Sequence, residues 1–226
     1  MATVNLNAPT KDVVRELLRS PRAALLREEI DTALDHEHEL RERFYLELRE
    51  DQKAEFINGE VVMQSPAKYQ HTEAVANLAM LLRAYVHSRG LGTVGHEKML
   101  VSLSRNDYEP DICYYRPAKS DLFKPEQMHF PAPDLVVEVL SPSTETIDRT
   151  IKYDDYAAHG VSEYWLVDPE TEIVEQYGLR GDRYDLINKS RTGTITSLVV
   201  PGFEIPIRAI FDRQENLAAL RRLLGG

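Results

Sequence analysis

Hydrophobic positions recur at helical spacing through the first fifty residues. Val14, Leu17 and Leu18 come first, then Leu25, Leu26 and Ile30, then Leu40, Phe44 and Leu48. That period predicts two or three amphipathic helices, broken near Pro21 and near Asp35. From Lys11 to Glu50 the chain is dense in charge and free of glycine. Residues 1–50 therefore read as a helical extension, and residues 51–226 as the main domain. The main domain opens on E-F-I-N-G-E-V-V-M, where Asn58-Gly59 signals a type I′ hairpin. A long helix is predicted from about Tyr69 to Ser88, with Val75, Leu78, Leu81, Leu82, Tyr85 and Val86 as its apolar stripe and Gly90 as its stop. Strands follow near Thr93–Leu103 and Asp111–Tyr115, then a Pro- and Lys-rich loop to Pro133 and a strand over Leu135–Leu140. The turn Ser141-Pro142-Ser143-Thr144 leads into a helix from Glu145 to about His159, which Gly160 ends. Strands over Ser162–Val167, Ile173–Tyr177 and Arg183–Ile187, short strand material at Val199 and Ile205–Ile207, and a helix carrying Leu217, Leu220, Leu223 and Leu224 complete the chain. This order predicts an α+β (α/β-like) fold with a mixed central β-sheet flanked by helices. Residues from Leu135 to Val167 could form one βαβ-like unit.

One polar position breaks the pattern. Glu138 lies inside D-L-V-V-E-V, with apolar residues at both alternations, so neither face of that strand reads as solvated. An ionised carboxylate left alone there costs on the order of several kcal/mol. A metal, a lysine or arginine, a set of donors or a proton must stabilise it. Asp111 opens another short apolar strand, D-I-C-Y-Y, and Pro110 before it fixes the local geometry. Lys152 follows on the next predicted helix. Each has a plainer reading: Asp111 as a turn aspartate, Glu138 as a core carboxylate paired with an arginine, Lys152 as a surface lysine partnered by Asp148. Together they are the parts of a hydrolytic metal site. Two carboxylates can hold Mg²⁺ or Mn²⁺ with water and phosphate oxygens in the remaining positions. A lysine beside them can stabilise developing charge or orient water.

Composition narrows the alternatives. With 226 residues, 42% hydrophobic and 28% charged, the chain suits one globular domain with an extension. A net charge of −10 argues against a broad nucleic-acid surface but leaves room for a local cationic strip. No apolar run approaches a membrane span of roughly 18 residues. The segment M-A-T-V-N-L-N-A-P-T lacks the pattern of a secretory signal. Cys113 is the sole cysteine and sits in an apolar strand, which excludes a disulfide framework and predicts a buried inert thiol and a cytoplasmic setting. His36 and His38 are two apart on a helix and do not share a face, so a solvated surface is expected there. His87, His96, His129 and His159 show no ligand spacing. Ser141, Ser143 and Thr144 precede a helix and are expected to cap it. No G-x-S-x-G and no phosphate-binding glycine motif occurs.

Four ordered stretches now carry a resemblance: Pro110-Asp111; D-L-V-V-E-V-L-S-P-S-T from Asp134; D-R-T-I-K-Y-D-D-Y from Asp148; and G-V-S-E-Y-W-L-V-D-P from Gly160. They resemble the Uma-type restriction-endonuclease family of the PD-(D/E)XK nuclease superfamily, over roughly Glu55 to Tyr177, with a weaker echo in P-G-F-E-I-P-I. The arm before Glu55 is not covered. The resemblance implies a restriction-endonuclease-like fold and a Mg²⁺-dependent endonuclease acting on DNA, with Mn²⁺ able to substitute. It matches Asp111 and Glu138 to the metal-binding carboxylates. The superfamily lysine normally stands two residues after the glutamate. Here that residue is Leu140, and the matching lysine is Lys152 on the next helix. Glu55 and His71 match further residues of the family that would complete the metal shell or contact phosphate, and His71 has the plainer reading of a capping or packing residue at the start of its helix. Tyr156 and Tyr164 would pack beside the lysine, and Trp165 in the core. A homodimer is the implied assembly. The alternatives are a catalytically inactive nuclease-fold protein that binds nucleic acid or a protein partner, and a metal-dependent nuclease acting on RNA.

Overall fold

The protein is described by a computed structural model covering residues 10–49 and 52–225. Residues 1–9, read above for a secretory signal, and the expected boundary between residues 50 and 51 lie outside those described residues. The first helices are α1 (Thr10–Leu18) and α2 (Ala23–Glu47). The break at Pro21 forms, but the break expected near Asp35 does not. Nothing from Ala23 to Glu47 is glycine or proline, and Asp31 and Glu39 pair with Arg27 and His36 on the exposed surface. Only the end of α2 enters the core.

The hairpin β1 (Ala54–Ile57) and β2 (Glu60–Met63) turns at Asn58 (φ 51°) and Gly59 (φ 86°), the left-handed pair a type I′ turn needs. Helix α3 (Tyr69–Arg89) stops at Gly90 in the left-handed conformation (φ 62°). Next come β3 (Thr93–His96), β4 (Leu100–Ser102), β5 (Asp107–Tyr108), β6 (Ile112–Tyr115), the short α4 (Pro117–Ser120), β7 (His129–Phe130) and β8 (Leu135–Val139). The continuous strand expected over Thr93–Leu103 is thus two strands in different sheets. Glu97 and Lys98, both at φ 49°, turn the chain between them. The loop before Pro133 also contains α4 and β7.

Helices α5 (Glu145–Arg149) and α6 (Ile151–Ala158) replace the single helix expected to His159, because Thr150 leaves helical geometry (φ −125°, ψ −81°). Strands β9 (Glu163–Asp168), β10 (Ile173–Arg180) and β11 (Arg183–Ser190) follow, then β12 (Thr194–Thr196) and β13 (Glu204–Pro206), which pair with each other. Val199 is buried but not in a strand. Its N–H is drawn to the carboxylate of Glu163 at 3.2 Å. The chain closes with α7 (Arg208–Phe211), not anticipated, and α8 (Arg213–Leu224), capped by Asp212 through the N–H groups of Gln214 and Glu215.

Two mixed sheets dominate. One runs β2-β1-β5-β4-β7, with β4 and β7 parallel, and the other runs β11-β10-β9-β8-β6-β3. In the second, β8 and β9 are parallel and joined through α5 and α6, which is the expected βαβ unit. Leu78, Leu81 and Leu82 of α3 pack with Ile112, Leu135 and Val137 on one face of this sheet, while Val136, Leu140, Tyr156 and Tyr164 pack on the other. The end of α2 is fastened to the first sheet. Phe44 packs with Ala54, Phe56 and Leu100, and the Arg41 guanidinium and Tyr45 hydroxyl donate to the fully buried Asp107 at 2.8 and 2.9 Å. No described helix is long and apolar enough to cross a membrane.

Candidate active site

Strand β8 is buried along its whole length. Its alternation sends Leu135, Val137 and Val139 toward α3 and leaves Glu138 on the face shared with Val136 and α6. Strand β6 runs antiparallel beside it, pairing Ile112 with Val137 and Cys113 with Val136. Extending that register by one residue sets Asp111 opposite Glu138. The Asp111 N–H donates to Glu138 Oε2 at 3.3 Å, and the Val139 N–H donates to Asp111 Oδ2 at 2.9 Å.

Helix α6 delivers Lys152. Its Nζ lies 3.1 Å from Glu138 Oε1, 2.9 Å from Glu55 Oε1 and 3.1 Å from Asp148 Oδ1. Tyr156 donates its hydroxyl to Glu138 Oε1 at 3.2 Å. Glu55, on β1, also accepts the Glu109 N–H at 2.9 Å. On the other side, Lys53 Nζ is 3.1 Å from Asp111 Oδ1 and His71 Nε2 is 3.3 Å from Asp111 Oδ2. The site opens into a cavity of ≈ 560 Å³ bordered by Asp111, Glu138, Lys53, His71, Asp148 and Lys152. Asp111, Glu138, Lys152, Glu55 and His71 therefore stand in one place.

Burial and the neighbouring carboxylates Asp148, Asp111 and Glu55 push Glu138 above the ordinary carboxylate range, against the pull of Lys152. Burial works against the Lys152 ammonium too, yet Glu138, Glu55 and Asp148 hold its pKa well above normal, so it stays charged. Burial likewise opposes ionisation of Asp111. The contacts from His71, Lys53 and the Val139 N–H win and bring it to about 2. Burial raises Glu109, beside Glu55, to about 7, and the buried Cys113 thiol to about 12, as befits an inert core residue.

The arrangement settles several plainer readings. Glu138 is paired with a lysine and not an arginine. Lys152 does meet Asp148, as its spacing suggested, but in the interior and not on the surface. Trp165 is core, and the Tyr164 hydroxyl donates to the Asp148 carbonyl at 2.9 Å. The hydroxyl of Ser141 bonds those of Ser143 and Thr144, and none caps α5 from its side chain. The Ser141 carbonyl takes the first N–H groups of that turn instead. Sequence reasoning missed Lys53 and the burial of Asp148. The signal for Lys53 was its place two residues before Glu55, which puts both on one side of an extended segment.

Among the described residues no group of three or more His, Cys, Asp or Glu side chains is gathered so as to hold an ion unaided. Asp111 and Glu138 are the pair that could share one with water or substrate oxygens.

Against known proteins, an uncharacterized protein of Synechocystis sp. is 30% identical over 150 residues, which is 64% of this chain and 84% of that protein. The crystal structure of a putative nuclease from Anabaena variabilis superposes with a TM-score of 0.62 at 17% identity, over 78% of this chain and 96% of its own. That likeness shows a restriction-endonuclease-like fold. The type IIG restriction endonuclease BpuSI overlaps with a TM-score of 0.36 at 14% identity, over 73% of this chain and 18% of that one. The family model Uma2, "Putative restriction endonuclease", matches residues 40–208, a wider stretch than Glu55 to Tyr177 that begins within α2. This chain belongs to the Uma2 family of restriction-endonuclease-like proteins.

Proposed function

We propose that the chain is a metal-dependent endonuclease that hydrolyses phosphodiester bonds in DNA, with Asp111 and Glu138 holding Mg²⁺ or Mn²⁺. The observation that carries this reading is the pair of facing carboxylates on β6 and β8, flanked by two lysines and opening on a cavity. Charge supports an ion there. Among the described residues the four acidic groups Asp111, Glu138, Glu55 and Asp148 are ion-paired with two lysines, Lys53 and Lys152, and with His71, so acidic groups outnumber the lysines that meet them. Asp148 Oδ1 is also buried with no hydrogen-bond partner beyond its ion pair. Mg²⁺ is commonly held by one or two carboxylates, with water and substrate phosphate in the other positions, so this donor set fits. A divalent ion held there supplies polarisation of the phosphoryl group and a more acidic water.

The chain's own residues do the positioning. Lys152 and Tyr156 fix Glu138, Lys152 draws Glu55 and Asp148 to the same point, and His71 with Lys53 steadies Asp111. The cavity is of the size that takes a small ligand or a short length of phosphodiester backbone. In the same reading residues 1–50 form a helical extension to a nuclease domain of residues 51–226, fastened through Arg41, Phe44 and Tyr45. Cutting both strands of a duplex would be served by a homodimer, and the lone buried Cys113 suits the cytoplasm.

The test is cleavage of plasmid, of single-stranded DNA and of RNA with Mg²⁺ or Mn²⁺. The wild type should cut DNA, while Glu138→Gln and Asp111→Asn should not. Equal activity in those variants overturns the assignment, and cleavage of RNA alone changes the substrate. Light scattering reports the assembly.

A further inference from the structure

The two lysines of the site are not equivalent. Lys152 has a side chain only 2% exposed, and its ammonium is enclosed by the carboxylates of Glu55, Glu138 and Asp148. An ammonium has three protons, and here each has an anion to meet. Drawing it toward a substrate would strand three buried carboxylates. Lys53 differs on every count. Its side chain is 26% exposed, and among the described residues its one carboxylate partner is Asp111 at 3.1 Å. Two of its protons therefore remain for another acceptor. Its place is fixed by the hairpin, because the Gln64 N–H donates to the Lys53 carbonyl at 3.0 Å and continues the β1–β2 ladder. Gln64, Ser65, Lys68 and Lys98 border the same cavity, so Lys53 belongs to its polar, cationic wall.

We infer that Lys53, and not Lys152, is the lysine that touches the substrate phosphate, and that Lys152 is a positioning residue which keeps Glu55, Glu138 and Asp148 in place. The inference rests on the nuclease reading for its substrate, but the contact can be measured without turnover. A half-buried ammonium at a cavity wall, with donors to spare, meets a phosphate oxygen as a charge-assisted hydrogen bond.

The experiment compares Lys53→Met, Lys53→Arg and Lys152→Met in the full chain. Binding of a fluorescein-labelled oligodeoxynucleotide is measured in EDTA and in Ca²⁺, cleavage in Mg²⁺, Mn²⁺ affinity by calorimetry, and thermal unfolding alongside. Lys53→Met should weaken oligonucleotide binding by about tenfold and slow cleavage by about a hundredfold. Its thermal midpoint should hold and its Mn²⁺ affinity should not fall. Lys53→Arg should retain part of both activities. Lys152→Met should lower the thermal midpoint. If Glu138→Gln is inactive while Lys53→Met binds and cuts like the wild type, the inference fails and the nuclease reading stands. If the wild type cuts nothing yet binds the oligonucleotide through Lys53, the contact stands and the nuclease reading fails. A Lys53→Met protein that loses its thermal midpoint, with Lys53→Arg no better at binding, makes Lys53 structural and overturns the inference. A wild type that neither binds nor cuts overturns both.

Discussion

Glu138 and Glu163 sit on neighbouring parallel strands, β8 and β9, and both are buried, at 3% and 0% exposure. Glu138 interrupts an apolar run and Glu163 opens one, yet their surroundings differ in kind. Glu163 accepts from Trp165 Nε1 at 2.6 Å, Gln176 Nε2 at 2.7 Å, Ser197 Oγ at 2.6 Å and the N–H groups of Leu198 and Val199. These donors are neutral, and they staple the 197–200 loop to the sheet. Glu138 is met by a lysine, a tyrosine and one backbone N–H, stands among other carboxylates and borders a cavity. Burial of a carboxylate is thus not itself a sign of chemistry. Closed donors make a staple, whereas like charges, a cation and an opening make a site. Glu175 falls between the two. It is buried with Arg149 at 3.1 Å and Lys189 at 3.2 Å.

The sharpest way to break this contrast is to neutralise each carboxylate in turn. Glu138→Gln should lower the initial rate of plasmid cleavage by roughly 10³-fold. Glu163→Gln should leave the rate per folded molecule unchanged, and a comparable loss there at an unaltered thermal midpoint would erase the distinction. Lys152→Met, which strands three carboxylates, should cost about 3–5 kcal/mol. For a chain of this length that is roughly a 10 °C fall in Tm, and calorimetry showing no fall would mean the ammonium is dispensable to the fold. Glu163→Gln turns an amide N–H₂ toward N–H donors and should cost about 1–3 kcal/mol in urea unfolding. No change would show that the 197–200 loop does not depend on the staple.

The smallest effect is at acid pH. Burial opposes ionisation of Glu175, but hydrogen bonds from Arg149, Tyr177 and Lys189 hold its pKa at about 2, below the ordinary 4.5. A depressed carboxylate stabilises the fold fully above its unfolded value and loses that contribution as pH falls from 4.5 toward 2. Glu175→Gln should flatten the urea midpoint across that window, and parallel wild-type and variant curves would remove Glu175 from the acid response.

Legibility in the sequence follows the range of the interaction. The hairpin was visible because only left-handed backbone fits Asn58-Gly59, and α3 because its stripe and Gly90 are local signals. Glu138 stood out by apolar neighbours on both sides, while Glu163, which follows Ser162 in S-E-Y-W-L-V, is just as buried without that mark. What separates the two is the set of partners from distant segments. Lys152 came through the family pattern, since a buried lysine and a surface lysine look alike in sequence. Lys53 escaped because its role depends on a contact 58 positions away, made when β1 crosses toward Asp111. The turn at Glu97-Lys98 and the kink at Thr150 use ordinary residues in unusual backbone, which no local composition announces.

The grip of Arg41 and Tyr45 on Asp107 bears on how the chain can be trimmed. A fragment starting at residue 51 would keep Asp107 in the interior and discard the guanidinium and hydroxyl that satisfy it. An abandoned interior anion is among the harsher penalties a small protein can carry. Recombinant shortening should therefore spare the last two turns of α2, and the smallest fragment that folds is expected to start upstream of Arg41.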